Sequence, residues 1–176
     1  MVIWVTGLSA AGKTTLCQAI RDIAKPSLPE LVLIDGDVIR ATFGHDLTHT
    51  ESDRVIQVRR VQGLAKALSE QGLYVIVAVL YAHPDLLAWN RVNLPNYFEV
   101  YLKVSLEAAM ARDPRSLYRR ALDGNMNNVV GMDIPWRAPM NPDLVLDVDS
   151  PEAPNVLARR VIAAVPGFAE RARLTP

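Results

Sequence analysis

The segment that most constrains the fold of this chain is a glycine-bracketed loop between an apolar run and a helix-forming run. The loop reads Gly7-Leu8-Ser9-Ala10-Ala11-Gly12-Lys13-Thr14 and directly follows Val2-Ile3-Trp4-Val5-Thr6. In a strand, loop and helix of this pattern, backbone N–H groups and the positive end of the helix dipole point at phosphate oxygens. Lys13 reaches the terminal phosphates, and Thr14 offers a hydroxyl to Mg²⁺. The residues predicted to bind a nucleoside triphosphate here are Gly7, Ser9, Ala10, Ala11, Gly12, Lys13, Thr14 and Thr15.

Composition narrows the class of protein further. The chain has 176 residues, half of them apolar, which suits one medium-sized core and is too few for two. Nineteen basic residues balance nineteen acidic ones, so no overall field attracts nucleic acid or an anionic membrane. The single cysteine, Cys17, excludes an internal disulfide, and the apolar runs are of strand length. We therefore expect one domain over residues 1–176, a cytoplasmic location, and no nucleic-acid or membrane partner.

Short apolar runs alternate with longer segments of helical periodicity. This alternation predicts an α/β fold, a P-loop NTPase three-layer sandwich with an about five-stranded parallel sheet and helices on both faces. Between the second and third runs, Thr50-Glu51-Ser52-Asp53 has the pattern of a capping box at a helix start, and Gly72 fits the helix end. The five apolar runs are residues 2–5, 31–34, 74–80, 98–104 and 144–146.

Residues 112–142 break this alternation, because they are rich in Arg, Asn, Gly and Pro and lack a sustained apolar period. Loops of this length in compact domains are usually lids, binding segments or disorder. Four arginines in the first part of the segment suit a lid that closes over phosphates and excludes water; they are Arg112, Arg115, Arg119 and Arg120. A solvated charged helix around residues 117–122 followed by a loop is the alternative. Residues 168–176 are expected to form a polar tail.

Two carboxylates follow the second predicted strand, in Asp35-Gly36-Asp37. They should lie at the sheet edge that also carries the phosphate loop. Phosphoryl transfer needs an acceptor hydroxyl held beside a metal-bound nucleotide, and Asp35 or Asp37 can hold it or take its proton. Either carboxylate can also help to order Mg²⁺ through water. A simple turn, with two acids around a glycine, is the alternative.

Arg40, Arg54 and Arg59 are candidates for binding an anionic acceptor, because guanidinium groups bind phosphate-like or sulfate-like oxygens in a bidentate manner. Gln57 lies one helical turn from Arg54 and faces the same way. The histidines are scattered over loop-like segments and predict neither a metal site nor a nucleophilic triad; they are His45, His49 and His83.

With these motifs, the chain resembles the adenylylsulfate (APS) kinases over nearly its whole length. The resemblance implies a P-loop kinase fold with a mobile lid, and transfer of the ATP γ-phosphate, with Mg²⁺, to the 3′-hydroxyl of adenosine 5′-phosphosulfate. It also implies that Asp35 or Asp37 lies near that hydroxyl, that Arg40 and Arg54 bind the acceptor nucleotide, and that Arg112 lies against the ATP adenine. The motifs that carry the resemblance are residues 7–15, 34–40, 46–47, 53–54, 59–60, 112–114, 117–118 and 131–133, followed by Pro135 and Pro139.

The chain departs from the family pattern mainly where the acceptor is expected, although in the phosphate loop Ala10 also replaces the glycine usual after Ser9. His49 and Val129 replace aromatic residues, Gln57 replaces an asparagine, and Tyr81 lies in an altered run after the third strand. Each lost aromatic face removes stacking energy of roughly 1–3 kcal/mol per base. The predicted acceptor-binding residues are Asp37, Arg40, His49, Arg54, Gln57, Tyr81 and Val129, with His49, Tyr81 or Trp136 as replacement stacking groups.

Three functions remain open from the sequence. The first is a divergent adenylylsulfate kinase, which we rank highest. The second is a kinase for another nucleotide-linked anion, for example a cytidine diphosphate derivative such as cytidine diphosphoramidate. The third is a nucleotide-binding regulatory module without turnover, which the presence of Lys13, Thr14, Asp35 and Asp37 disfavours. A homodimer is compatible with each of the three.

Overall fold

A five-stranded, all-parallel sheet forms the centre of the protein in a computed structural model that describes residues 1–44 and 46–173. His45, one of the scattered histidines, and residues 174–176 of the expected tail lie outside the described residues. The strand order β2-β3-β1-β4-β5 confirms the predicted α/β fold. The strands are β1 Val2–Thr6, β2 Leu31–Asp35, β3 Tyr74–Ala78, β4 Tyr97–Lys103 and β5 Leu144–Asp147.

Helices cover both faces of this sheet. Crossovers between parallel strands are right-handed, so connections that run in opposite directions along the sheet place their helices on opposite faces. The connection from β1 to β2 carries α1, and those that lead from β2 to β5 run the other way and carry α2 to α6. Helix α7 follows β5 and packs against α1. The helices are α1 Lys13–Ala24, α2 Gly36–Thr42, α3 Glu51–Glu70, α4 Pro84–Asn93, α5 Leu106–Arg112, α6 Leu117–Leu122, α7 Pro154–Ala164 and α8 Phe168–Arg171.

Helix α3 shows how local sequence sets an element's ends. The Thr50 side chain accepts a hydrogen bond from the Asp53 N–H at 3.3 Å and caps the first turn, as the capping pattern predicts. At the other end, Gly72 has φ 87°, a left-handed conformation that glycine adopts without steric cost. The predicted start and end of this helix are therefore confirmed.

The register of the sheet brings the chemically important segments to one edge. Asp35, the last residue of β2, pairs with Ala78, the last residue of β3, and β1 ends at Thr6 immediately before the phosphate loop. All residues of β1 are buried, so this central strand is covered on both faces. The loop after β1 and the acids after β2 therefore lie at the same carboxyl edge, as in other open parallel sheets.

The carboxyl-terminal segment differs from its prediction, and the lid segment contains the helix of its alternative interpretation. The expected polar tail begins instead with α8, in which Phe168 is fully buried and its ring lies 6.2 Å from that of Tyr74. In the segment 112–142, the charged helix of the alternative interpretation is present as α6, but its Tyr118 is fully buried. In both segments an aromatic residue anchors to the core a stretch of chain whose average composition is polar. Of the residues that the structure describes, none lie in a helix long and apolar enough to cross a membrane.

A buried polar network links three elements at the end of the sheet opposite the phosphate loop. Gln62 donates from Nε2 to the Leu86 carbonyl at 2.9 Å and to Asn90 Oδ1 at 2.7 Å. Asn90 donates to the Tyr97 hydroxyl at 3.2 Å, which donates to Glu99 Oε2 at 2.7 Å. Burial raises the pKa of Glu99, and this hydrogen bond from Tyr97 opposes that shift. Each polar group therefore depends on its neighbour for a partner.

We expect Asn90→Ala to lower the free energy of unfolding by about 2–3 kcal/mol, because the change leaves buried partners unpaired. Denaturant unfolding measures this loss. Asn155→Ala, at an exposed position of α7, is the matched control and should stay within about 0.5 kcal/mol of the parent protein. Equal effects of the two substitutions would contradict the structural role of the network.

Candidate active site

A cleft of about 480 Å³ opens at the carboxyl edge of the sheet. One end, which we call the phosphate-loop end, contains Ser9, Gly12, Lys13, Thr14 and Thr15. The other end, which we call the arginine end, contains Arg40, His49, Arg54, Gln57 and Tyr81. Asp35, Gly36 and Asp37 also line the cleft. The structure therefore brings together most of the residues that the sequence suggested.

The phosphate loop is shaped by close packing and by left-handed backbone. A Cβ atom at Gly7 would lie 2.6 Å from the carbonyl oxygen of Leu102, so only glycine fits there. Ala10 and Gly12 both have positive φ, at 61° and 91°. Glycine adopts this conformation freely, whereas alanine pays a steric cost of roughly 1 kcal/mol. Ala10 nonetheless preserves the loop conformation at the position where the family has glycine.

Lys13 is held across its own loop. Its Nζ donates hydrogen bonds to the carbonyl oxygens of Gly7 at 2.9 Å and Leu8 at 2.7 Å. Burial lowers the pKa of Lys13 to about 8, and the carboxylates of Asp37 and Asp35 oppose that shift. A partly desolvated ammonium group attracts phosphate more strongly than one in bulk water does.

Asp35 connects the phosphate loop with the second half of the cleft. Its Oδ2 accepts a hydrogen bond from Thr14 Oγ1 at 2.6 Å. Its Oδ1 accepts from the Asp37 N–H at 2.8 Å, which makes Asp35 the N-cap of α2. The Thr14 hydroxyl and the Asp35 carboxylate are hard oxygen donors of the kind that binds Mg²⁺ together with phosphate oxygens and waters. These two residues therefore fit a magnesium ion at the phosphate-loop end.

Asp37 points into the cleft, where an arginine of the lid segment reaches it. Arg115 Nη1 donates to Asp37 Oδ2 at 2.8 Å, although the two residues are 78 positions apart in the chain. Both side chains are mostly exposed, at 79% and 69%, so this ion pair contributes little to stability. The Asp37 carboxylate is therefore available to exchange Arg115 for another partner.

Arg40 and Arg54 are fixed by backbone carbonyl groups. Arg40 Nη1 donates to the Thr48 carbonyl at 2.8 Å. Arg54 donates from Nε to the His49 carbonyl at 2.9 Å and from Nη2 to the Asn128 carbonyl at 2.8 Å. Burial lowers the pKa of Arg54, and the charge of the nearby Arg40 lowers it further. Two neighbouring guanidinium groups with limited solvation form a site that favours an anion.

Two rings line the arginine end of the cleft. His49 has a lowered pKa because of burial and of the positive charges of Arg40 and Arg54, so its imidazole is neutral at pH 7. Tyr81 is only 7% exposed, and its hydroxyl donates to Glu51 Oε1 at 2.9 Å. The His49 ring is thus placed where a base could contact it, whereas the Tyr81 ring is largely covered.

Three residues predicted at the acceptor lie outside this cleft. Val129 is 1% exposed and belongs to the hydrophobic core, so the prediction that it contacts an acceptor is contradicted by its position. Arg59 donates to Gln62 Oε1 at 3.1 Å. Trp136 donates from Nε1 to the Tyr101 hydroxyl at 3.4 Å. Val129 packs into the core beneath the lid segment because valine is apolar and small enough to fit there.

Arg112 lies at a second, smaller cleft of about 220 Å³ on the other side of the phosphate loop. Its Nη2 donates to the carbonyl oxygens of Val148 and Asp149. The rest of the wall is largely apolar, and it includes Ala10, Leu16, Leu102, Pro151, Pro154 and Leu157. A flat base fits such a slot, and its phosphates would then extend along residues 7–14.

Besides Pro114 and Leu117, four further residues of the lid segment line the main cleft, although the sequence did not place them individually at a site. The only signal for them was the basic, Asn-rich and Gly-rich composition of residues 112–142. Their positions depend on the chain returning over the cleft from far along the sequence. They are Arg115, Arg120, Met126 and Asn128.

The fold and site define a P-loop phosphotransferase: a phosphate loop after β1, an acid pair after β2 and a basic segment over a two-ended cleft. Comparison with known proteins gives the family. The family model described as adenylylsulphate kinase matches residues 1–147. The chain belongs to the adenylylsulphate kinase family.

Individual relatives of this chain are named for different kinase activities. The chain is 36% identical over 172 residues to an adenylyl-sulfate kinase of Vibrio cholerae, covering 97% of this chain and 78% of that protein. It is 35% identical over 146 residues to a cytidine diphosphoramidate kinase of Campylobacter jejuni, covering 83% and 85% of the two chains. Among solved structures, the Mycobacterium tuberculosis APS kinase CysC in complex with AMPPNP and APS aligns with a TM-score of 0.84 at 28% identity, covering 93% and 95%.

The position of Val129 generates a testable prediction. We expect Val129→Phe to lower the free energy of unfolding by about 1–3 kcal/mol, because a ring added to a filled core forces its neighbours apart. Thermal or denaturant unfolding measures the change. Val92→Phe, at a position that is 84% exposed, is the control and should be close to neutral. Unchanged stability together with a lower acceptor KM would instead show that the new ring enters the cleft.

Proposed function

We propose that the protein transfers the γ-phosphate of ATP to the 3′-hydroxyl of adenylylsulfate, giving 3′-phosphoadenylylsulfate and ADP. The observation that carries the proposal is one cleft with a phosphate site at one end and an anion site at the other. Lys13 and Thr14 form the first, Arg40 and Arg54 form the second, and Asp37 lies on the wall of the same cleft. Family membership favours such a phosphotransferase over a regulatory module without turnover.

At the phosphate-loop end, residues 7–15 hold the triphosphate through backbone N–H groups and the start of α1. Lys13 exchanges its carbonyl partners for phosphate oxygens and neutralises charge that develops during transfer. Arg112 and the apolar slot beside it hold the ATP base. When Mg²⁺ is bound, Thr14 and Asp35 are the residues that hold it, and the ion neutralises and orients the terminal phosphates.

At the arginine end, Arg40 and Arg54 bind the charged phosphosulfate group of the acceptor. His49, which is exposed, offers a face to its base in place of the aromatic residues that the family pattern has elsewhere. The Tyr81 ring lines the same end of the cleft but is largely buried. These contacts place the ribose hydroxyl of the acceptor beside the Asp37 carboxylate. Charge complementarity alone does not select adenylylsulfate, because any nucleotide-linked anion satisfies two guanidinium groups.

Asp37 is the residue best placed to accept the proton of the attacking hydroxyl. As the ribose oxygen bonds to the γ-phosphorus, the bond from that phosphorus to the β,γ-bridging oxygen breaks, and ADP leaves with the electron pair. The hydroxyl proton passes to the Asp37 carboxylate. Asp35 is less suited, because its contacts with Thr14 and with the Asp37 N–H tie it to the phosphate loop and to the start of α2, on the side of the proposed metal.

The segment 112–142 acts as a lid within a single domain of 176 residues. Arg115 is its main contact with the acid pair, and Arg120 also lines the cleft. Movement of Arg115 from Asp37 towards the transferring phosphoryl group frees the carboxylate and adds positive charge where it is needed. A cytoplasmic location and a homodimeric state are part of the same proposal, and light scattering of the purified protein tests the latter.

The acceptor proposal is tested with a coupled assay for ADP release on a panel of nucleotides. Adenylylsulfate should give the highest kcat/KM, and AMP, which lacks the sulfate charge, should be at least about tenfold poorer because guanidinium contacts are lost. A cytidine diphosphate derivative such as cytidine diphosphoramidate is the competing substrate. Preference for that compound would overturn the choice of acceptor while leaving the kinase class intact, whereas no turnover with any acceptor would remove the enzyme proposal.

We expect Asp37→Asn to lower kcat by about 10²–10⁴-fold with little change in the KM for ATP, because the amide cannot accept the hydroxyl proton. Stability should stay within about 0.5 kcal/mol, since the ion pair with Arg115 is exposed. Asp22→Asn is the control, because that carboxylate contacts only Arg21 on the surface of α1. Matching losses in kcat and in ATP affinity would assign Asp37 a role in metal binding instead.

A further inference from the structure

Helix α3 contains two buried glutamines whose hydrogen bonding differs. Gln62 is 1% exposed and fully paired, since its Nε2 donates to two acceptors and its Oε1 accepts from Arg59. Gln57 is 6% exposed and its Nε2 donates to the carbonyl oxygen of Gly36 at 3.0 Å. Its Oε1 is buried and has no hydrogen-bond partner within the part of the chain that the structure describes.

The partner of Gln57 is the residue between the two acids of the site. Gly36 begins α2, and its neighbours Asp35 and Asp37 supply the N-cap and the cleft carboxylate. On its other side, the Gly36 backbone packs against β3, where an added Cβ would lie 3.3 Å from the Ala78 carbonyl oxygen. The peptide that carries both acids is therefore held between the Gln57 amide and the end of a central strand.

We propose that Gln57 is a positioning residue that fixes the Asp35-Gly36-Asp37 turn through the Gly36 carbonyl, rather than a ligand of the acceptor nucleotide. The proposal rests on the proposed function, in which Asp37 takes the hydroxyl proton. The Gln57 amide acts only through the turn, because the turn determines the position and direction of the Asp37 carboxylate in the cleft. Small errors in such placement are costly in phosphoryl transfer, which depends chiefly on alignment.

The unpaired oxygen separates this role from an ordinary contribution to stability. A buried amide oxygen without a partner destabilises the folded state, because its hydration is lost and not replaced. An apolar side chain of the same length would fill the space of Gln57 without that cost. Gln57 is thus unfavourable for folding, yet it holds the Asp35-Gly36-Asp37 turn. This combination is expected of a residue that serves activity at the expense of stability.

Burial also argues against direct contact between Gln57 and the acceptor. The Oε1 atom is shielded from solvent, and the Nε2 atom is bonded to Gly36. In contrast, Asp37 is exposed on the wall of the same cleft. Although Gln57 also lines the cleft, its amide nitrogen is engaged with Gly36 and its amide oxygen is shielded, whereas the Asp37 carboxylate is exposed to a nucleotide there.

The test compares Gln57→Met with Gln62→Met, two substitutions of buried glutamines on one helix. For Gln57→Met we expect kcat to fall about 10–100-fold with both KM values changed less than threefold. Amide hydrogen exchange of residues 36–42 should become faster, and the unfolding midpoint should stay equal or rise. For Gln62→Met we expect a lower unfolding midpoint, with kcat and the exchange of residues 36–42 unchanged.

Each alternative outcome overturns the proposal. A higher acceptor KM with normal exchange of residues 36–42 would make Gln57 a substrate ligand. If Gln57→Met lowered the unfolding midpoint as much as Gln62→Met does, the role of Gln57 would be structural. Hydrogen exchange requires no acceptor, so it decides the role of Gln57 even if the parent protein fails to phosphorylate adenylylsulfate, a result that would count against the proposed function alone.

Discussion

The Asp35 carboxylate is the interaction on which the rest of the site depends. One oxygen accepts from Thr14 on the phosphate loop, and the other caps the helix that begins with Gly36 and Asp37. A single side chain thereby fixes the distance between the place where phosphate binds and the place where an acceptor hydroxyl is held. This link is possible because parallel strands β1 and β2, with β3 between them, all end at the same edge of the sheet.

At both ends of the cleft, backbone carbonyl groups hold the positively charged side chains. Backbone carbonyl groups hold Lys13, Arg40 and Arg54, and none of the three forms a direct ion pair with a carboxylate of the described residues. Carbonyl partners keep a guanidinium or ammonium group in place while leaving most of its charge for a ligand. The exposed pair of Arg115 and Asp37 is the exception, and it joins the segment 112–142 to the acid on the wall of the cleft.

The sequence was sufficient for the fold and for the phosphate-loop end, and less so for the arginine end. Residues 7–14 and the apolar runs are local patterns, and a local pattern determines a strand, a loop or a capped helix without reference to distant residues. Val129 and Tyr118 show where this fails, because their burial depends on how residues 112–142 fold back onto the core. Likewise, no local pattern could indicate that Arg115 meets Asp37 across 78 positions.

The same distinction explains why the departures from the family pattern cluster at one end of the cleft. Phosphate is bound through backbone N–H groups and helix geometry, so Ala10 can replace glycine provided that the left-handed conformation is kept. An acceptor base is bound through side-chain faces, which can be exchanged one at a time while the backbone stays in place. His49 departs from the family pattern in this way, whereas the turn of Asp35 and Asp37 is held by the Thr14 hydrogen bond and by the packing of Gly36 against β3.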